Sequence, residues 1–400
     1  MSYSPGFRPL RCVSCSALAV FVSVTASLIH AAPAIAPARK VRDLVIYQDA
    51  KFYSAFPSIV RRPNGELLVA FRRAPSRVAL REEKESHTDP NSFLVMVRSR
   101  DGAGTWTKSP ELIYAHPLGG SQDPCLLPLR DGTLLCMSYG WAFLQPDAVA
   151  ALKQPVFQNR PGVVFLGGYL VRSTDGAQSW QGPIYPPHIP PEVFVDPYGT
   201  PLPAYNRGAP YEGVDGRIFW VVAANDSVAP RKTSNHLIIS KDQGLTWSYS
   251  APVAVDPKVR FSEASVYETP KRDIVAFLRT GNFDDQACIA RSTDGGKTFQ
   301  PWEGMGFRGH PLHALRLRDQ RVLLVYGYRH PPYGIRGRVL NAECTDFSTA
   351  QEIVLRDDGG TTDIGYPWSV ALDDNRVLVV YYYNLANGPR HIAGTILEIQ

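Results

Sequence analysis

The apolar residues of this chain occur in short runs separated by polar turns, and four of these turns carry nearly the same eight residues. An apolar run precedes each turn, as at 93–97 and 168–171. Within each turn an aspartate bonds to its own backbone and a glycine accepts a positive φ. The aromatic residue that ends the segment is expected to pack back between neighbouring sheets. The four segments are 99–106, 173–180, 240–247 and 292–299.

These segments recur at intervals of about 50 to 75 residues, which is typical of β-propellers. We therefore predict an all-β fold, a six-bladed β-propeller without helices. Blade five carries a degraded segment at 344–348, and blade six ends at 392–397 without one. Residues 44–47 are expected to supply the outer strand of blade six, which closes the ring and leaves no open sheet edge. The predicted blades span 44–115, 116–190, 191–256, 257–308, 309–356 and 357–400.

The first strand of each blade should line the propeller axis, with one of its ends facing a pocket. Two long inserts, 72–92 and 141–165, interrupt the pattern. Inserts of that size usually lie on a binding face. The predicted axial strands are 56–60, 121–125, 206–209, 262–266, 310–314 and 365–369.

Residues 1–35 have the composition of a signal peptide, and residues 36–400 are expected to form one propeller domain. Arg8 and Arg11 precede an apolar stretch at 17–24, and small residues follow. The stretch is too short to span a membrane, so we predict a secreted or periplasmic protein without a membrane span. A disordered N-terminal tail is the alternative. Removing the segment lowers the net charge from +5 to +3, and no basic run favours nucleic acid as a partner.

The cysteines outside this segment are expected to be buried thiols, because a propeller of this size does not need cross-links. A disulfide between Cys125 and Cys136, which flank one turn, stays open. None of the cysteines has the spacing of metal ligands, so we predict no cofactor and no metal. Structural calcium and the oligomeric state cannot be read from the sequence. The four cysteines are Cys125, Cys136, Cys288 and Cys344.

The repeated segments resemble the Asp box, S-x-D-x-G-x-[ST]-[WF], of the sialidase (neuraminidase) superfamily and other BNR-repeat proteins. Segments 240–247 and 292–299 match it fully, whereas Ala103 and Ala177 replace the glycine in the other two. The resemblance covers the chain beyond residue 35 and implies a sialidase-like propeller. The box is expected on an outer hairpin, away from the axis, so it is a weak signal for chemistry.

Three residues at strand ends resemble the sialidase catalytic centre. Glu263 opens one strand and Arg279 ends the next, which resembles the sialidase pair that assists the nucleophile and clamps the substrate carboxylate. Tyr366 resembles the tyrosine nucleophile, although Pro367 stands where sialidases have serine. A neutral phenol suits a sialic acid, whose anomeric carbon bears a carboxylate that repels an acidic nucleophile. A structural ion pair and a core tyrosine are the alternatives.

The sequence offers several candidates for the other arginines of the clamp. Arg329 and Arg336 both fit the blade-five arginine, and the guanidinium group binds carboxylates through two hydrogen bonds. Sialidases carry a further arginine in a [FY]-R-I-P motif of blade one, where this chain has Ala55. Arg72 and Arg73, at the end of the next strand, either compensate for that loss or are solvated rim charges.

The proton donor is expected among polar residues near the axis. Asp89, in the blade-one insert, is the nearest match to the sialidase acid/base aspartate, and the nearby His87 can also transfer protons. Asp123 is a second candidate acid and a substrate-binding candidate. His313 is another substrate-binding candidate; it faces away from His310 on one strand, which argues against a shared metal.

These residues predict a retaining glycoside hydrolase of the exo-α-sialidase type that acts on a terminal acidic sugar of a glycan. Two alternatives keep the propeller. In a uronate-specific lyase, Arg279 would neutralise the carboxylate while His87, His313 or Tyr366 removes a proton. In a non-catalytic carbohydrate-binding propeller, aromatic residues would stack on sugars.

Overall fold

The computed structural model describes residues 1, 6, 36–82, 87–386 and 388–400. The chain divides into two units, Met1–Ile35 and Ala36–Gln400. The predicted signal peptide lies almost entirely outside the described residues, so it stays a prediction. Among the described residues, none of the helices is long and apolar enough to cross a bilayer.

The second unit is built of six antiparallel sheets, which are the blades of the propeller. It begins with β1 (Ala38–Tyr47), which does not join the sheet of the strand that comes directly after it in the chain. The first sheet contains β2 (Phe52–Arg61), β3 (Leu67–Pro75), β4 (Phe93–Ser99) and β5 (Glu111–Tyr114). The second sheet contains β6 (Gly119–Ser121), β7 (Cys125–Pro128), β8 (Leu134–Phe143), β9 (Gln158–Arg160), β10 (Val163–Ser173) and β11 (Gln181–Ile184), with helix α1 (Pro146–Val149) between β8 and β9.

Four further sheets complete the ring. The third contains β12 (Tyr211–Glu212), β13 (Ile218–Ser227), β14 (Lys232–Ser240) and β15 (Ser248–Ala254). The fourth contains β16 (Phe261–Glu268), β17 (Ile274–Thr280), β18 (Gln286–Ser292) and β19 (Glu303–Arg308). The fifth contains β20 (Leu312–Arg316), β21 (Val322–Tyr328), β22 (Gly334–Leu340) and β23 (Glu352–Arg356). The sixth contains β24 (Gly365–Ala371), β25 (Arg376–Tyr383), β26 (His391–Ile399) and the N-terminal β1.

The two ends of the second unit meet in the sixth blade. Strand β1 pairs antiparallel with β26, so that Leu44 lies opposite Gly394 and Val45 opposite Ala393. This confirms the prediction that the N-terminal strand closes the ring, although the strand begins at Ala38 rather than at residue 44. This pairing gives hydrogen-bond partners to the backbone of β26, which would otherwise be an exposed edge strand.

The axial segments depart from the prediction in two blades. The segment 121–125 is split between β6 and β7, and 206–209 precedes β12 without forming a strand. The prediction of no helix is wrong for the second insert, which contains the single turn α1. Pro146 opens that helix, where its fixed φ suits the first turn and its missing N–H costs nothing.

The Asp-box segments close the outer hairpins as expected. In the third copy, Asp242 accepts hydrogen bonds from the backbone N–H of Thr246 at 2.8 Å and the hydroxyl of Ser240 at 2.9 Å. The ring of Trp247 lies 5.5 Å from that of the fully buried Trp220, which ties the hairpin to the core. The four cysteines are buried and free, so Cys125 and Cys136 form no disulfide.

Candidate functional site

Three axial strands have a break in register near the same end of the propeller. Such a bulge leaves residues out of the ladder and turns their side chains in a new direction. The breaks lie between Ala55 and Ser58 in β2, between Phe261 and Ala264 in β16, and between Gly365 and Trp368 in β24. The bulges present Phe56, Glu263 and Tyr366.

Two of these bulges hold a non-glycine residue in the left-handed region of backbone space. Phe56 has a φ of 58° and Tyr366 a φ of 54°. Such conformations are costly for bulky side chains and concentrate at functional sites. The two rings pack edge-on at 4.8 Å, so blades one and six meet through their strained residues.

Tyr366, Glu263 and Arg279 come together at this end of the axis. The hydroxyl of Tyr366 donates a hydrogen bond to Glu263 Oε1, and Arg279 Nη1 donates to Glu263 Oε2. Arg279 Nη1 also donates to the Tyr366 oxygen at 3.0 Å. The carboxylate of Glu263 is therefore placed to accept the phenol proton, which is the geometry that activates an oxygen nucleophile.

The charges in this cluster are set by burial and by Arg279. Burial raises the pKa of Tyr366, the charge of Glu263 raises it further, and Arg279 opposes the rise. Burial also raises the pKa of Glu263, but Arg279 and the Tyr366 hydrogen bond outweigh it and hold that pKa below its ordinary value. At rest Glu263 is an anion and Tyr366 a neutral phenol.

Of the two predicted blade-five arginines, the structure places Arg329 at the cluster. Its guanidinium carbon lies 5.3 Å from the centre of the Tyr366 ring, and its Nη2 donates to the Tyr382 hydroxyl at 2.9 Å. Arg336 lies on β22, donates to the Arg356 carbonyl and covers the Tyr328 ring at 4.9 Å. Arg336 therefore belongs to the outer part of its own blade, and none of its described contacts is with Tyr366, Glu263 or Arg279.

Arg72 occupies the position across the strand pair from Ala55. It is fully buried, and none of its three guanidinium nitrogens has a hydrogen-bond partner among the described residues. Burial lowers its pKa against the charges of Tyr53, Asp89 and Asp123. A buried cation without hydrogen bonds is costly, and the Tyr53 ring, 5.5 Å from the guanidinium carbon, compensates it only in part.

Neither acid predicted from the blade-one insert is free. Both oxygens of Asp89 accept from Arg77, at 2.6 and 2.8 Å. Burial raises the pKa of Asp89, but the Arg77 hydrogen bonds outweigh it, so the group stays ionised. His87 is half exposed, with Nε2 2.8 Å from Asp363 Oδ1 and its ring 5.4 Å from that of Phe56. Asp89 thus braces the insert, and His87 lies at the edge of the cluster.

Asp123 has the properties that Asp89 lacks. It is buried, its Oδ2 accepts from the Tyr139 hydroxyl at 3.1 Å, and its Oδ1 has no partner among the described residues. Burial raises its pKa to about 6, with Arg207 opposing the rise and Glu263 adding to it. A carboxyl group with this pKa is protonated in mildly acidic solution and can act as a general acid.

Comparisons with known proteins agree with this architecture. The BNR repeat-like domain family matches residues 156–379, which is more than half of the chain. The chain belongs to this family. No curated protein matches it. A protein of unknown function from Dyadobacter fermentans DSM 18053 is 68% identical over 92% of this chain and 100% of its own, with a TM-score of 0.90.

Two solved sialidases are similar to this BNR propeller in fold. The Hadza microbial sialidase Hz136 is 18% identical over 88% of this chain and 68% of its own, with a TM-score of 0.63. The NanB sialidase from Streptococcus pneumoniae is 13% identical over 91% of this chain and 70% of its own, with a TM-score of 0.61. The BNR chain therefore has a sialidase-like fold.

The BNR propeller places two further charged residues at the cluster that the sequence did not single out. The Arg207 guanidinium carbon lies 5.1 Å from the Tyr366 ring centre, and Arg207 Nη2 donates to the Pro57 carbonyl at 2.9 Å. Asp363 accepts hydrogen bonds from Tyr53 and Tyr382 as well as contacting His87. Arg207 lies inside a predicted axial segment, and Asp363 is three residues before Tyr366. These positions are the signals in the sequence that could have pointed to the two residues.

The blade-five histidines have separate partners. His310 is buried with Nε2 3.2 Å from Asp285 Oδ1, and its Nδ1 has no partner among the described residues. Burial lowers its pKa to about 4, and Arg279 adds to the effect. His313 instead contacts the Ser369 hydroxyl at 3.0 Å and the Trp368 ring at 4.6 Å. His313 thus packs against β24 and is not placed with Tyr366 by any described hydrogen bond.

Two cavities open at opposite ends of the blades. One of about 410 Å³ is lined by Glu263 and Arg279. The other, of about 1300 Å³, lies among the hairpins at the far end. Six of the charged residues that line this larger cavity form ion pairs with one another. Those pairs are Arg318–Asp374, Arg321–Asp319 and Arg376–Asp373. We place the candidate site where Glu263 and Arg279, the partners of Tyr366, line the smaller cavity.

Proposed function

We propose that this chain is a retaining glycosidase of the exo-α-sialidase type that removes a terminal acidic sugar from a glycan. The observation that carries the proposal is the hydrogen-bonded group of Tyr366, Glu263 and Arg279, assembled from blades six and four. A phenol bonded to a buried carboxylate is an activated nucleophile, and the adjacent guanidinium groups suit a substrate carboxylate. The fold shared with solved sialidases supports the same reaction class.

Two displacements complete the proposed reaction. In the first, the Tyr366 oxygen attacks the anomeric carbon as Glu263 takes its proton, and the bond to the leaving oxygen breaks while Asp123 protonates that oxygen. In the second, Asp123 takes a proton from water, the water oxygen attacks the same carbon, and Tyr366 leaves with the proton from Glu263. Two inversions retain the anomeric configuration.

Three arginines hold the acidic sugar in this proposal. Arg279 and Arg329 flank Tyr366 and are placed to bind the carboxylate on the anomeric carbon. Arg72 supplies from the neighbouring strand the positive charge that Ala55 cannot, and its unpaired guanidinium group supports this role. Each charged hydrogen bond to the carboxylate would be worth about 1.5–3 kcal/mol.

The test is hydrolysis of a fluorogenic α-sialoside, with the anomeric form of the first product read by proton NMR. We expect the α-anomer, and labelling of Tyr366 by a 2,3-difluorinated sialic acid, detected by peptide mass spectrometry. Tight binding of sialosides and glucuronides without turnover of either would leave a binding propeller and remove the enzymatic proposal.

A second reaction is favoured by one observation, the unpartnered Nδ1 of the buried His310, a residue whose low pKa keeps it neutral. On a uronate, His310 would take the C5 proton, the C4–C5 double bond would form, and the bond from C4 to the glycosidic oxygen would break. Arg279 would neutralise the carboxylate, and Tyr366 would protonate the leaving oxygen. An ultraviolet-absorbing product from a glucuronide-containing oligosaccharide would establish this lyase reaction in place of hydrolysis.

Export belongs to the same proposal, since glycan substrates of this class lie outside the cytoplasm. Residues 1–35 carry two arginines, an apolar stretch and small residues in the order of a signal peptide. Expression of the full chain followed by N-terminal sequencing of the released protein should find a start near residue 32. An unprocessed N-terminus on protein kept inside the cell would contradict export.

A further inference from the structure

The cavity beside Glu263 and Arg279 extends away from Tyr366 over blades two, three and four. Its volume is about 410 Å³, which is enough for a sugar ring. One wall is aromatic, and its rings contact one another at centroid distances from 4.4 to 6.0 Å. The wall consists of Tyr139, Trp141, Phe157, Phe165 and Tyr205.

The second insert builds the outer part of this wall. Phe157 belongs to the insert between α1 and β9 and packs against Trp141 at 5.8 Å. Trp141 is more than nine-tenths buried, yet its indole Nε1 has no hydrogen-bond partner among the described residues. Aromatic faces bind the apolar faces of sugar rings, so this wall suits a carbohydrate.

The polar lining of the cavity is strongly basic. Four arginines and a single carboxylate, Glu263, line it, and Glu263 is already paired with Arg279. The other three arginines form no ion pair with any described residue. They are Arg207, Arg231 and Arg260.

Neutral partners hold Arg231 and Arg260 without cancelling their charge, whereas the charge of Arg207 also acts on the Asp123 carboxyl group. Arg231 Nε donates to Asn225 Oδ1 at 2.9 Å, and its guanidinium carbon lies 4.1 Å from the Phe157 ring centre. Arg260 Nη2 donates to the Gly281 carbonyl at 3.4 Å. Three positive charges around one aromatic pocket create a local potential that favours an anionic ligand.

We propose that this cavity binds the sugar next to the one that is cleaved off, and that this second sugar carries an anionic group of its own, a carboxylate or a sulfate. The substrate is then a polyanionic glycan, with acidic groups on consecutive sugars. The proposal rests on the proposed function, which places the cleaved bond beside Glu263 and Arg279. These two residues also line the cavity, so the cavity lies next to that bond.

Matched pairs of oligosaccharides test the charge of the second sugar. One pair is α2,8-linked disialic acid and 3′-sialyllactose; the other is glucuronosyl-N-acetylgalactosamine with and without a 6-sulfate. Dissociation constants are measured by calorimetry on Tyr366→Phe protein, so that turnover does not interfere. In at least one pair we expect the dianionic sugar to bind about tenfold more tightly, with the preference shrinking as salt is raised.

Arginine variants test whether the preference for the dianionic sugar arises in this cavity. Arg231→Gln and Arg260→Gln should each remove most of it, whereas Arg42→Gln, which deletes an equal charge from an exposed position on β1, should leave it intact. Arg231→Lys, which keeps the charge, should retain part of the preference. Since Arg231 also packs on Phe157, thermal melting identifies any variant that fails to fold, and Arg260→Gln then decides the question.

The outcomes separate this inference from the proposed function. Equal affinity within both pairs, or a preference that survives both glutamine variants, overturns the inference. Hydrolysis of a fluorogenic α-sialoside by the unmodified protein is measured separately and depends on Tyr366. Turnover without a charge preference leaves the enzyme and removes the anionic pocket; a charge preference without turnover leaves the pocket and removes the enzyme.

Discussion

The outer hairpins of this propeller differ in their use of charged residues from its mouth, the end of the axis where Tyr366, Glu263 and Arg279 meet. In the hairpins, the four Asp-box carboxylates accept hydrogen bonds from their own turns, as Asp294 does from Ser292 and Thr298. At the mouth, Arg72 has no hydrogen-bond partner and Asp123 has one unpaired oxygen among the described residues. The hairpin carboxylates are satisfied within their own turns, whereas the mouth holds buried polar groups without a described hydrogen-bond partner.

The same side chain shows the contrast in its proton affinity. Hydrogen bonds from Thr105 lower the pKa of the exposed Asp101 to about 2, while burial raises that of Asp123 to about 6. An aspartate in the repeated turn is fixed as an anion, and the aspartate at the mouth can change charge near neutrality. The repeated residues of this chain therefore build the structure, and the candidate site is assembled from unrepeated residues at strand ends.

Removing the phenol oxygen at the mouth should have the largest effect. Tyr366→Phe deletes the group that Glu263 and Arg279 both contact, so kcat should fall by about a thousandfold or more with little change in KM. Steady-state hydrolysis of a fluorogenic sialoside measures this. Tyr185→Phe, on an exposed tyrosine, is the control, and a Tyr366→Phe protein that turns over normally would exclude the phenol from the mechanism.

Substituting Arg72 tests whether its buried, unpaired charge lowers the stability of the fold. Arg72→Met replaces a fully buried cation by an apolar side chain of similar length, which should increase the free energy of unfolding by about 1–4 kcal/mol. The same change should raise KM for an acidic substrate about 10- to 100-fold, the equivalent of one charged hydrogen bond. Denaturant melts and kinetics on one preparation measure both.

The two effects of Arg72→Met must have opposite signs for the comparison to hold. Arg73→Met is the matched control, because Arg73 is paired with Asp49 at 3.3 Å and stacked on Phe52. That variant should lose stability and keep its KM. A destabilised Arg72→Met protein with unchanged KM would show that Arg72 is a structural residue.

The raised pKa of Asp123 predicts how kcat/KM changes on the alkaline side of the pH profile. In the proposed reaction the acid form of Asp123 is the active one, so kcat/KM should fall as pH rises through about 6, and Asp123→Asn should remove that limb. The loss of rate should be about 10²–10⁴-fold on a natural glycan and much smaller on a nitrophenyl glycoside, whose leaving group needs no acid. Asp89→Asn should keep the limb at 6 and lower stability, because it breaks the pair with Arg77.

The raised pKa of Asp123 also has a consequence for folding. The native state holds a proton that the unfolded chain releases near pH 4, so the free energy of unfolding should fall as pH rises from about 4 to 6. Urea melts across this range measure it, and Asp123→Asn should flatten the dependence. If Asp123→Asn left the pH dependence of the free energy of unfolding unchanged, a group other than Asp123 would be responsible for it.

The sequence predicted the repeated part of the molecule better than the unique part. The Asp boxes, the six blades and the closing strand follow from local patterns, and the meeting of Glu263, Arg279 and Tyr366 follows from their strand ends. The pairing of Asp89 with Arg77 could not be predicted, because it depends on how the insert folds, which no local pattern encodes. Arg207 and Asp363 were missed because their roles come from burial between blades.

The smallest predicted effect lies in the hairpins. The glycine position of the Asp box has a positive φ in all four copies, including 71° at Ala103 and 64° at Ala177. The first two copies therefore show that alanine can adopt this conformation where the adjacent blade leaves room. At Gly296, with a φ of 89°, an added Cβ would lie 2.6 Å from Leu237 Cδ2.

Gly296→Ala should therefore destabilise the fold by about 1–2 kcal/mol from the backbone conformation alone, with any unrelieved contact adding to this. Gly304→Ala is the control, because its Cβ would meet nothing within 4 Å and its φ is not positive. Thermal melts measure the difference. Activity per folded molecule should be equal in both variants; a loss of kcat in folded Gly296→Ala protein would couple an outer hairpin to the mouth and break the division between them.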